Sequence, residues 1–299
     1  MGTLGDLIVQ VVVIGCVYAM IAVAFDLVFA SSRVVNFAQG DFVAGAGLIA
    51  AILAVTHGVP FGIAALAAGV LIALVGMVTV SALILPVLPG ITQRSVSDLN
   101  EMRWVLTTIG VSVTLEAIGG MLTPQGAIGV KPLINGGVNV AGIHVPLYDI
   151  AIVVVAVAMI AGLHMLLRHT IVGQMLRAVA ADRYGSAAVG IPVRRVIVAT
   201  FVGAAALSAL AGVLIVPFTQ GSASGGFALG LAGFAAATVG GLGDMRGALA
   251  GGMVVAAAEL MGARFVNSQM ESVFPLLVMM LILVFRPQGI FQSGAVERV

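Results

Sequence analysis

Nine apolar runs, at 7–29, 42–56, 60–85, 104–122, 147–167, 196–216, 228–242, 247–266 and 272–285, limit this 299-residue chain to very few folds. Crossing the hydrocarbon core of a bilayer takes roughly 20 apolar residues of helix. With 61% of its residues hydrophobic and only 8% charged, the chain lies far from soluble domains, which are roughly 45–50% apolar. A water-soluble globule is excluded. None of the runs shows a polar face, which suits helices surrounded by lipid and by one another, because a bilayer offers no water to the backbone. The expected fold is all-α: a polytopic integral membrane helical bundle of eight or nine transmembrane segments. It forms one domain over 1–299, with a polar loop at 168–195.

Basic residues orient such a bundle. If all nine runs cross, alternate loops place Arg33, Arg94, Arg103, Arg168, Arg177, Arg183, Arg194, Arg195, Arg246, Arg286 and Arg298 on one side and only Lys131 and Arg264 on the other. That asymmetry marks the arginine side as cytoplasmic, so the N-terminus is expected outside and the C-terminus inside. Making 228–242 re-entrant would put Arg246 and Arg286 outside. No Lys or Arg precedes Arg33, so the first run lacks the basic start of a cleaved signal and reads as a retained helix.

Three runs, 42–56, 228–242 and 272–285, are short. At 1.5 Å per residue they reach only about 21–23 Å, against a core of about 30 Å. The first follows Asn-Phe-Ala-Gln-Gly-Asp (36–41), and the second is rich in glycine. Short, glycine-interrupted segments in corresponding places of two halves point to a translocation site built from broken helices. Short helices in a locally thinned bilayer are the plainer alternative.

Few side chains offer chemistry. Glu116 and Glu259 fall well inside runs, where an ionisable group costs roughly 2.5–3.5 kcal/mol on insertion scales and suggests function; a structural hydrogen-bonded role competes. Asp26, seven residues before Arg33, is expected to snorkel or to pair along the same helix face. Ser112 and Ser208 are expected to bond backbone carbonyls, as membrane serines do. Cys16 has no partner cysteine, and the four histidines are dispersed, so neither a disulfide nor a metal site is expected. A net charge of +1 gives no patch for nucleic acid. Gly243, Gly247 and Gly251 repeat every four residues and read as a packing strip. The one lysine, Lys131, stands outside any G-x-x-x-x-G-K-[ST] pattern, so ATP cannot be bound here by a P-loop. In the loop, residues 174–189 read as one amphipathic helix with an apolar face through Leu176, Val179 and Ala180, stopped at Gly190-Ile191-Pro192. It suits either anionic lipid or a soluble partner.

Several blocks together resemble the permeases of branched-chain amino acid type ABC importers, the LivH/LivM-type family. They are YAMIAVAFDLVFASSRVVNFAQGDFVAGAG (18–47), RAVAADRYGSAAVGIPVRR (177–195), ATFVGAAALSALAGVL (199–214), GFAAATVGGLGDMRGALAGG (233–252) with Glu259 following, and FRPQGIF (285–291). The family commonly has His where Gln39 stands, and a Ser-Ile-Pro-like stretch where Asp244, Met245 and Arg246 stand. The resemblance implies a type II importer-like fold of two pseudo-symmetric halves in a prokaryotic plasma membrane. It implies a second permease subunit, identical or not, two cytoplasmic ATPases that carry ATP and Mg2+, and an extracytoplasmic solute-binding protein; this chain itself needs no cofactor. It also implies that 177–195 contains the coupling helix. Leu176, Arg177, Ala181, Asp182 and Arg183 are thus expected to contact the ATPase, and Asn36, Gln39, Asp41, Gly241 and Glu259 to line or gate the path. The solute is expected among branched-chain amino acids, amides, urea and organic acids. An ion-coupled secondary transporter, with Glu116 or Glu259 carrying protons, is the other reading, and a purely structural subunit a third.

Overall fold

A computed structural model describes residues 4–86, 98–124, 126–140, 143–245, 247–267, 272–286 and 289–290. Arg94, Arg246, Arg298 and positions 287, 288 and 291 of the terminal FRPQGIF block lie outside them. The described residues form eleven α-helices: α1 Leu4–Ser32, α2 Gln39–Ala51, α3 Phe61–Val78, α4 Asp98–Leu122, α5 Leu147–His169, α6 Ile171–Ala181, α7 Arg183–Ala188, α8 Val193–Thr219, α9 Gly226–Gly240, α10 Ala248–Phe265 and α11 Val273–Phe285. All nine apolar runs are helical. Seven helices are long and apolar enough to cross a bilayer, while α9 and α11 are shorter. A small antiparallel pair, β1 Gly137–Val140 and β2 Ile143–Pro146, precedes α5; the sequence reading did not include it.

Local chemistry sets the boundaries. Prolines 60, 146 and 192 stand immediately before α3, α5 and α8, where a missing N–H costs nothing. Asp149 in the first turn of α5 and Arg168 and His169 in the last oppose the helix dipole. The run expected to be short at 42–56 is longer. Helix α2 begins at Gln39 and passes into a π-helical turn over Ile52–Thr56, giving an 18-residue span. A similar turn, Thr79–Ile84, extends α3.

Helix α1 is the axis of the bundle, packed by α10, α8, α9 and α5. Residues 15–28 are buried without interruption, as expected of a helix apolar all round. Helices α4 and α5 lie at the periphery, with leucines, isoleucines and valines such as Leu106, Val113 and Val154 exposed. The glycine strip packs as expected but only in part within a helix: Gly251 lies in α10 against Ala236, and Gly247 precedes α10 and faces Gly240. Gly243 belongs to the preceding turn, with φ of +90°.

Candidate functional site: a helix break at membrane depth and a helix pair at one end

Between α1 and α2, residues 33–38 are not helical, yet Val34, Asn36 and Ala38 are almost wholly buried. Non-helical backbone at membrane depth persists only when protein satisfies its polar groups, and the local sequence supplies the means. Ser32 Oγ accepts from Val34 N at 3.2 Å, and Asn36 Oδ1 accepts from Ala38 N at 3.2 Å, the Asx-turn geometry typical of Asn. Asn36 Nδ2 donates to Gln39 Oε1 at 3.1 Å, while Gln39 Nε2 donates to Ala204 O at 3.1 Å and to Ser208 Oγ at 2.7 Å. Ser31 and Thr200 hydroxyls meet at 2.7 Å. Positions 200, 204 and 208, four apart, make one stripe of α8 that receives the break. Ala204 and Ser208 stand 11 and 15 residues past the start of α8, about 17–23 Å along it, so α2 begins deep in the bundle.

Two helix starts converge there. A Cβ on Gly40 would collide with the Gly226 carbonyl and with Gly230, and one on Gly226 would collide with the Asp41 carboxyl group. Asp41 therefore sits in the first turn of α2 and against the first turn of α9, where the partial positive charge of each helix end favours an acidic group. Ser112 Oγ of α4 donates to Asp41 Oδ2. Ser112 and Ser208 thus bond side chains, not the carbonyls expected of them.

Helix α2 is a wall between two cavities. On one side, about 250 Å³ is lined by Tyr18, Val43, Gly47, Ile215, Gln220 and Glu259. On the other, about 220 Å³ is lined by Asp41, Gly45, Ile72, Leu115 and Glu116. Of the five residues expected along a path, Asn36 and Gln39 lie in one hydrogen-bonded network, and Asp41 and Glu259 face different cavities. Gly241 is elsewhere, in the turn after α9 with φ of +112°, a helix length of about 22 Å from the Gly226 end. It packs against Gly289, whose neighbour Ile290 N donates to Val239 O at 2.9 Å.

Asp26 also departs from expectation. It is 1% exposed and accepts from Gly243 N at 2.8 Å, tying α1 to the turn between α9 and α10. Arg33 is not its partner; with φ of +53° it leaves α1, covers the Phe29 ring at 5.6 Å and donates to Ala180 O at 3.3 Å. Asp26→Ala is expected to cost about 1–3 kcal/mol, because the Gly243 N–H loses its acceptor. Asp26→Asn, which keeps an acceptor oxygen, should recover most of it, as read by thermal unfolding in detergent.

The arginine-rich segment is two helices rather than the single one expected over 174–189. Thr170 caps α6 by accepting from Gly173 N at 3.3 Å, and Asp182, with extended backbone, ends α6 and caps α7 by accepting from Tyr184 N at 2.9 Å. Aspartate is among the strongest N-caps, which explains the break. Leu176 and Val179 turn inward against Leu27, Val28 and Val196, so Leu176 is part of the core. Arg183 is half-buried and donates to Ser31 O at 3.2 Å, crossing the Arg33 bond to Ala180 in the reverse sense. Burial, and then the nearby Arg33 guanidinium, lower its pKa below the ordinary arginine value. Arg177, Ala181 and Asp182 are exposed, with Arg177 also donating to Leu167 O. The pair α6–α7 is clasped to the end of α1 and leaves its other side open.

A family model described as the branched-chain amino acid transport system permease component matches residues 7–283. The high-affinity branched-chain amino acid transport system permease protein LivH of Escherichia coli (strain K12) is 28% identical, over 96% of this chain and 95% of its own. BraD of Pseudomonas aeruginosa, a permease protein of the same description, is also 28% identical, over 96% and 95%. A solved chain of PsaBC from Streptococcus pneumoniae in complex with Fab superposes with a TM-score of 0.48 at 14% identity, over 93% of this chain and 91% of that one.

Proposed function

The chain belongs to the family of branched-chain amino acid transport system permease components, and from that premise we propose that it is the path-forming subunit of an ABC importer driven by separate cytoplasmic ATPases. The solute belongs to the class of branched-chain amino acids, amides, urea or organic acids, delivered by an extracytoplasmic binding protein. The protein is a multi-pass membrane protein, and the end bearing α6–α7 faces the cytoplasm, with the C-terminus on that side. A second permease subunit completes the assembly, and ATP and Mg2+ belong to the ATPases. The chain does no covalent chemistry; it alternates between inward- and outward-open shapes.

The observation that carries this reading is the clasped helix pair. A docking element must hold its own bundle firmly and offer a free face to the motor. Helices α6 and α7 do the first through Leu176, Val179, Arg33 and Arg183. Arg177, Ala181 and Asp182 supply the second. The path runs beside α2, with Asn36 and Gln39 fixing its start and Asp41 and Glu259 facing the cavities on its two sides; Gly241 acts only as a turn.

Ala181→Trp combined with Arg177→Glu tests the docking face in the complex copurified with its ATPases and reconstituted into vesicles. Losing a charge-assisted contact of about 1.5–3 kcal/mol predicts a fall in uptake of roughly tenfold or more, with the solubilised permease still folded. Uptake equal to wild type would remove the assignment. Collapsing the proton gradient with ATP maintained should leave uptake running, whereas an ion-coupled carrier would stop.

A further inference from the structure

Beneath α6 lies a cleft that the transport reading does not use. It has a volume of about 410 Å³ and is walled by α1, α5, α6 and α8, with Leu163, Leu167, Val172, Leu176 and Ala199 among its lining and Arg195 as the one charged side chain on its described wall. The Thr200 hydroxyl on that wall is already engaged with Ser31 and with Ile197 O. The interior is therefore apolar, with a cation at one place. That place is where α5 ends and α8 begins, between the last turn holding Arg168 and the first turn holding Arg194 and Arg195. At the same edge Ile171 and Val172 of α6 are 73% and 51% exposed, an apolar rim that water does not favour.

We propose that this cleft is a binding site for an anionic glycerophospholipid, one acyl chain filling the slot and the phosphate resting on Arg195. Charge complementarity selects the occupant. A bilayer supplies molecules that are apolar along their length with an anion at one end, and basic pockets between spans at the headgroup level are where such anions are held. The chain would touch Val172 and Leu176 from below, so the lipid props the same helix pair that holds the proposed docking face. The inference rests on the helices lying in a bilayer, not on the ATPase partnership, and its readout is binding by the full-length permease alone.

The test is lipid retention, measured by native mass spectrometry of the full-length protein released from nanodiscs of phosphatidylglycerol or phosphatidylcholine. Wild type should keep phosphatidylglycerol preferentially. Arg195→Gln should weaken that retention about fivefold, the worth of one arginine near an anionic surface, and Arg195→Lys should restore it. Ala199→Trp, which fills the apolar slot, should reduce retention of either lipid. A photoreactive residue at Ala199 in the copurified complex should yield lipid adducts. Equal retention in wild type, Arg195→Gln and Ala199→Trp would mean annular lipid only and overturn the site. Adducts to an ATPase chain at Ala199 would overturn it as well, by showing a protein segment in the cleft.

Discussion

Replacing Gly40 by alanine is expected to lower stability by about 3 kcal/mol, the upper part of the usual overpacking range. The contact involved is backbone on backbone: the Gly226 carbonyl and the Gly230 Cα occupy the space a Cβ needs, and no rotamer change can relieve it. Helices α2 and α9 must separate, and the Asp41 carboxyl group, which fills the crossing beside Gly226, must move with them. Gly69→Ala is the control. Nothing lies within 4 Å of its added carbon, so on α3 it should be neutral or stabilising by up to about 1 kcal/mol. Thermal unfolding of both variants in detergent measures the difference; similar melting temperatures would mean that α2 and α9 do not cross so closely.

Asp41→Asn is expected to lower uptake about tenfold, at a stability cost of about 1–2 kcal/mol that leaves the protein folded. Asparagine keeps the shape and one acceptor for the Ser112 hydroxyl, but loses the favourable interaction of an acid with two helix ends, worth roughly 0.3–1 kcal/mol each and up to about 2 when partly buried. Asp41→Leu should lose uptake altogether and stability in addition, since Ser112 then has no side-chain acceptor. Uptake of wild-type magnitude in Asp41→Asn would place this residue among the structural hydrogen bonds and leave Glu116, in the same cavity, and Glu259, in the other, as the acids beside the path.

Much of this was legible in the chain. Asn36, Gln39 and Asp41 fall between the first two apolar runs, and the short run that follows them, together with the family resemblance, pointed to a site there. The break at 33–38 could be read from Ser31-Ser32 and Asn36 as residues that bond their own backbone. Other features were not legible. Asp26 and Gly243 are 217 residues apart in sequence, and no spacing rule joins them. The same holds for Gln39 with Ser208, and for Ser112 with Asp41, because a serine in a membrane helix carries no mark of which neighbour it will meet. Asp182 was read only as an ATPase contact, because the helical tendency of Ala178–Ala181 on one side and Ser186–Ala188 on the other masked the interruption it makes as a cap.

What the sequence by itself determined is which segments enter the bilayer, because transfer from water depends on composition and length alone. Only the tertiary structure decided which of them face protein. Helices α1 and α5 are equally apolar, yet 67% of the most apolar window of α1 is buried and only 11% of that of α5. Lipid tails are as apolar as a leucine side chain, so hydrophobicity does not distinguish a central helix from a peripheral one. That choice rests on close contacts between small residues and on hydrogen bonds across helices, such as Gly40 with Gly230 and Gln39 with Ser208, which exist only once distant parts of the chain have met.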